Sequence, residues 1–210
     1  MTSTRSLIRR AALGATAAAA ALVLAACGGD GSDTGSGAQT SASASTEDTA
    51  GAHNDQDVSF AQDMIPHHQQ AIQMSKMAAS QASSAEVKDL AARIEKAQGP
   101  EIETMSGWLK AWGEDVPSSM PGMDHGGHSG SSDMPGMMDT EDMDELMAAS
   151  GTDFDTMFLT MMVEHHEGAV EMATTEKDKG QYGPAKKMAD DIITAQNAEI
   201  EEMNKLLGKS

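Results

Sequence analysis

Residues 60–109 and 158–207 are two copies of one pattern. A shift of 98 residues lays one on the other without a gap, and 16 of 50 positions are identical. The shared residues include Phe60, Met64, His67, His68, Ala71 and Met74 early in the copy, and Ile94, Gln98, Glu101, Ile102 and Met105 late in it. Two copies at so long a period do not make a solenoid, whose units are shorter and stack in larger numbers. Each copy therefore reads as a substructure that buries its apolar face against the other.

That substructure is helical. Apolar residues recur every three or four positions, and no alternating run flanks a hairpin turn. Helices are predicted near 57–80, 85–111, 153–178 and 184–207, with a short one near 140–149. Asp153 is the expected N-cap of the third long helix, and Pro184 suits a first helical turn. Pro66 and Pro100 fall inside helices and should kink them rather than end them, because the apolar period continues past both. The fold class expected is all-α, a four-helix bundle of ferritin-like layout made from two duplicated helical hairpins with a long crossover.

The remaining chain divides by composition. Residues 1–26 read as a lipoprotein signal peptide: Arg5, Arg9 and Arg10 precede the apolar run "AALGATAAAAALVLAA", too short for a comfortable membrane span. The run stops at Leu24-Ala25-Ala26-Cys27, which resembles a bacterial lipobox, with Cys27, the chain's single cysteine, as the lipidated residue. Residues 27–54 then form a disordered Gly/Ser/Thr tether. The first hairpin covers 55–112, a Met/His-rich crossover with a short helix 113–152, and the second hairpin 153–208; the hairpins form one domain. Loss of residues 1–26 leaves a net charge of −22, three below the −19 of the whole chain. Such a surface disfavours nucleic acid and attracts cations.

The repeated histidines face inward. At about 100° per residue, Phe60, Met64 and Ala71 share a stripe that His67 and His68 flank. The third helix repeats this with His165 and His166. On the second and fourth helices, Gln98, Glu101, Gln196 and Glu199 fall at the centre of the apolar stripe. A bundle turns such stripes inward, and a buried carboxylate needs a donor or a cation. Two readings remain open: buried His–Glu hydrogen-bonded pairs with no ligand, or imidazole, thioether and carboxylate converging on a metal with second-shell support.

Ligand type bears on which metal. Thioether sulfur is soft and suits Cu(I), and imidazole suits Cu(I), Cu(II) and zinc. Met64 lies one turn from both His67 and His68. The Glu-x-x-His motif of di-iron carboxylate bundles is absent. Met120, Met123, His125, His128, Met134, Met137 and Met138 fall in the Gly/Pro/Ser-rich crossover, where core filling does not account for methionine. They are candidates for auxiliary metal capture.

"FAQDMIPHHQQAIQMSKMA" with "AQGPEIETMSGWL", and "GTDFDTMFLTMMVEHHEGAVEMA" with "AQNAEIEEMNKLL", resemble the two halves of the domain-of-unknown-function 305 family. The resemblance covers roughly residues 55–208. It implies a ferritin-like, extracytoplasmic protein, copper-binding in some members. The metal ligands it implies are Met64, His67, His68, Met74, Glu101 and Met105, and Met162, His165, His166, Met172, Glu199 and Met203. Gln98 and Gln196 fall in the second shell. Gly99-Pro100 departs from the usual helical residues after the glutamine.

The function expected is copper binding and sequestration, in copper homeostasis or tolerance, by a protein lipid-anchored on the outer face of the cytoplasmic membrane. Copper, as Cu(I) or Cu(II), is the expected cofactor. Its partners are a metal ion and the membrane, with an envelope protein as a further candidate and nucleic acid excluded. The alternative is a metal-free helical interaction module of the cell envelope. No nucleophile–base arrangement points to an enzyme.

Overall fold

A computed structural model describes residues 51–118 and 134–209. They form five helices: α1 Asp55–Gln81, α2 Ala85–Trp112, α3 Thr140–Ala148, α4 Gly151–Lys179 and α5 Gly183–Leu206. Each lies within two residues of its expected bounds, and no strand forms among the described residues. The signal segment 1–26, Cys27, residues 27–50 of the tether, and Met120, Met123, His125 and His128 lie outside the described residues.

Local chemistry sets the helix ends. The Asn54 side chain accepts from the amides of Gln56 and Asp57, and Asp57 answers on the Asn54 amide, a capping box. Ser84 caps α2, which stops at Gly113 with φ 81°, a left-handed conformation suited to glycine. Asp139 caps α3. The start of α4 differs from expectation: Ser150 is the N-cap, and Asp153 lies inside the first turn, where its charge favours the positive end of the helix. Pro184 takes the first turn of α5 as expected. Neither Pro66 nor Pro100 ends its helix.

Each repeat is one antiparallel hairpin, α1–α2 or α4–α5, and the hairpins meet through α1 and α4. The N-terminal part of α1 (Phe60, Ala61, Met64, Ile65) shares an apolar block with the C-terminal part of α4 (Ala169, Ala173), so these helices also run antiparallel. Met105, Leu109, Ala189 and Ile192 complete that block. A second block joins Ala71, Met74 and Ala78 of α1 to Phe154, Phe158 and Met162 of α4, with Leu90, Ile94 and Met203 from the outer helices and Met143 and Leu146 from α3. Fully burying one such side chain stabilises the fold by about 1.5–3 kcal/mol.

The gap between the blocks falls at the same place on all four long helices. On α1 it spans His67 and His68, on α4 His165 and His166, on α2 Gln98 and Glu101, and on α5 Gln196 and Glu199. A polar layer thus divides the apolar core in two.

Candidate metal centre

The layer follows from the repeat. Two adjacent histidines on a helix diverge by about 100°. One of each pair therefore faces its hairpin partner, and the other faces the opposite hairpin. His68 Nε2 donates to Glu101 Oε2 of α2 at 2.7 Å. His166 Nε2 donates to Glu199 Oε2 of α5 at 2.8 Å. The other two, His67 and His165, meet across the α1–α4 contact, with ring centroids 3.7 Å apart and planes tilted by 45°. All four are buried.

Tautomers follow from the partners. A backbone carbonyl only accepts, so His67 Nε2, 3.1 Å from Pro135 O, carries the hydrogen. Burial is the main cause that pushes His67 down to about 3, with the neighbouring histidines His68 and His166 adding to it and the Pro135 contact opposing it. His67 is thus neutral near pH 7, with a bare lone pair on Nδ1. The carboxylates of Glu101 and Glu199 likewise accept from a hydrogen on Nε2 of His68 and His166. Burial also holds His165 well below the usual histidine range, with His67, His166 and His68 contributing.

Among the described residues, none of the Nδ1 atoms of His67, His68 and His166 has a hydrogen-bond partner, and neither nitrogen of His165 has one. The buried Oε1 atoms of Gln98 and Gln196 are also unpartnered. An unsatisfied buried polar atom costs about 1–3 kcal/mol. Neutral imidazoles with outer Nε2–H groups held by oxygen are the usual form of metal-ligating histidine, so the residues present fit a metal. Among the described residues, however, no three side chains of His, Cys, Asp or Glu already form a metal-holding group. Coordination therefore needs thioether sulfur or movement of the rings.

The methionines border this layer unequally. Met64 and Met105 are fully buried in one apolar block, and Met162, Met203 and Met74 in the other. Met172, the repeat equivalent of Met74, is only partly buried and lines a cleft. Glu101 and Glu199 also depart from expectation. Their side chains are 26% and 17% exposed, at the rim of the layer rather than its centre. The helical angle of the Cα is as expected, but a glutamate side chain is long enough to carry its carboxylate toward water.

The end of the crossover docks on this layer instead of standing open. Gln70 is buried and clamps Met138: its Oε1 accepts the Met138 amide and its Nε2 donates to the Met138 carbonyl, each at 2.8 Å. Gly136 has φ 74°. A Cβ there would lie 2.6 Å from the Glu164 carbonyl oxygen, and one on Gly168 would lie 2.1 Å from that of Pro135. Two glycines thus let the segment lie on α4 beside His165. Met134, Met137 and Met138 are accordingly half-buried, and Met138 packs on the core. The roles of Pro135, Gly136, Gly168 and Gln70 were not evident from sequence patterning; the Pro-Gly pair inside a biased segment was the available signal.

Comparison with known proteins places this geometry. The profile of a family described as "Domain of unknown function (DUF305)" matches residues 57–207. A solved structure described as a secreted DUF305 protein from Streptomyces coelicolor is 33% identical, covers 73% of this chain and 93% of its own, and has a TM-score of 0.64. CopM in the Cu(II)-bound form is 38% identical over 72% of this chain and 95% of its own, with a TM-score of 0.61. A DUF305 fragment from Deinococcus radiodurans is 25% identical over 76% of this chain and all 100% of its own, with a TM-score of 0.66. CopM has also been solved with Cu(I) and with Ag. No curated protein matches the chain.

Proposed function

The chain belongs to the DUF305 family, and from that premise we propose that it binds copper in the polar layer between its two apolar blocks. His67, His68, His165 and His166 supply nitrogen. Met64 and Met162, each one turn from its histidine pair, supply soft thioethers, as do Met105 and Met203 on the outer helices. Gln98 and Gln196 orient the rings, and Glu101 and Glu199 hold Nε2–H at the rim. Bound copper adds a soft Lewis acid that ties both hairpins together. The protein holds the metal without chemical turnover. It is lipid-anchored through Cys27 outside the cytoplasmic membrane and sequesters copper there, with the Met/His crossover as an auxiliary capture segment.

One observation carries this reading: buried imidazoles whose Nε2–H groups are held by oxygen and whose Nδ1 atoms lack any partner. The copper- and silver-bound forms of CopM support the choice of metal, and the secreted relative supports the compartment.

The test is a titration of the purified protein with Cu(I) and Cu(II) against a chromophoric chelator. His67→Ala combined with His165→Ala should abolish tight binding while helicity persists. Binding lost only on deletion of residues 119–133 would move the function to the crossover. No competition by any form would favour a metal-free interaction module.

A further inference from the structure

The repeat makes two equivalent grooves along the α1–α4 contact, and the sequence treats them differently. On one side Phe154, Met157 and Met161 of α4 and Met77 of α1 join Met143 and Leu146 of α3 in a single apolar block. Helix α3 lies across both long helices there and fills the groove. On the other side the matching positions carry Gln56, Ser59, Asp63 and Thr175. Among the described residues no helix covers them, and they line an open cleft of about 250 Å³. Four apolar positions have become polar in one copy, so the opening is written into the sequence.

Two further residues give the cleft its chemistry. Met172 lines it, whereas its equivalent Met74 is fully buried; a thioether has been moved from the core to an accessible wall. Glu171 stands beside Met172 and faces the same cleft as Asp63. Pro135 also lines the cleft, and its carbonyl holds His67 Nε2. One residue of the crossover thus touches both an open acidic cleft and an imidazole whose Nδ1 has no partner among the described residues.

Resting on the copper reading above, we propose that this cleft is the port by which the metal enters. A soft monovalent cation, Cu(I), docks on the Met172 thioether with Asp63 and Glu171 supplying negative charge. It then passes Pro135 to reach His67 and His165. The ligand logic is consistent along the path: a lone thioether offers Cu(I) one soft ligand, and the several imidazoles and thioethers of the polar layer together then hold it. Carboxylates in a concave wall raise the local cation concentration and the encounter rate more than they raise final affinity. The filled groove on the opposite side makes the route one-sided.

The experiment is stopped-flow transfer of Cu(I) from its bicinchoninate complex to the whole protein, with equilibrium affinity measured on the same samples. Asp63→Asn with Glu171→Gln should slow uptake about tenfold and leave affinity unchanged, and Met172→Leu should separately slow uptake. Ser59→Leu with Thr175→Leu fills the cleft with apolar bulk and adds no sulfur, and should slow uptake by obstruction. Circular dichroism confirms that each variant keeps its helices. Unaltered uptake in all these variants would overturn the port. Loss of affinity in Met172→Leu without slower uptake would also overturn it, by making Met172 a core ligand. Full affinity in His67→Ala with His165→Ala would instead overturn the copper core, and the port with it.

Discussion

Asp57 closes the turn of the second hairpin, and Asp155, 98 residues later, closes the turn of the first. Asp57 accepts from the amides of Gln181 and Tyr182 between α4 and α5. Asp155 accepts from the amides of Ser83 and Ser84 and from the Ser83 hydroxyl between α1 and α2. Each repeat therefore satisfies the turn backbone of the other, and this exchange fixes how the hairpins dock across the polar layer.

Asp155→Ala should destabilise the protein by about 1.5–3 kcal/mol, because the turn amides lose a charged, largely buried acceptor. Urea unfolding measures it. Asp153→Ala, at an exposed first-turn position, should change stability by less than about 0.5 kcal/mol. Equal effects would show that the turn contact does not hold the hairpins.

The two staples differ in one partner. At the position of Ala78 in the first repeat, the second has Glu176, fully buried. Burial pushes Glu176 up to about 8, Asp57 beside it adds to the rise, and Lys186 and Gln56 partly oppose it. The folded protein thus keeps a proton that an ordinary glutamate releases near 4.5. Stability should fall as pH rises from about 4.5 to about 8 and then level off. Burial also works to raise Asp57, but its hydrogen bonds outweigh that and hold it low, so its own effect is confined to more acid pH. Glu176→Gln should flatten the slope in thermal melts across that window; an unchanged slope would place the proton elsewhere.

Much of this was legible in the chain. The 98-residue shift gave the hairpins, and helical angles placed His67, His68, His165 and His166 inside with glutamates opposite. Asp57 and Asp155 obey the same shift but lie just upstream of Phe60, where the match was first evident, and an isolated aspartate pair carries no periodic signal. The docking of Gly136 on Gly168 depends on two backbones meeting across a long separation, which no local pattern encodes. The open cleft was present as differences between copies, Gln56 against Phe154 and Asp63 against Met161, rather than as identities. Which half of the repeat α3 would cover could not be read from either copy alone.

The Gly168 contact has its own consequence. Gly168→Ala places a methyl where the Pro135 carbonyl lies, and backbone cannot rotate aside as a side chain can. The segment Met134–Met138 should lift. The Met138 amide, held by Gln70, should then exchange hydrogen much faster, and Gln70→Ala should do the same. Unchanged protection in both variants would mean the segment is held by other contacts.

The carboxylates at the rim should matter to the metal without touching it. Glu101→Ala or Glu199→Ala frees the tautomer of His68 or His166 and should weaken copper binding about 10- to 100-fold. Chelator competition reads this directly, and the conservative Glu101→Gln, which keeps an oxygen acceptor, should recover most of the affinity. Undiminished affinity in the alanine variants would remove any orienting role.

Proton–nitrogen correlation spectra of the imidazole rings, taken before and after stoichiometric Cu(I), follow each Nδ1 individually. Before metal, His67 should show hydrogen on Nε2 and a bare Nδ1, and His68 and His166 should show hydrogen on Nε2. On loading, the Nδ1 signals of the core histidines should shift together while their Nε2–H signals remain. Movement confined to His125 and His128, with the four core rings unchanged, would contradict a metal site between the hairpins.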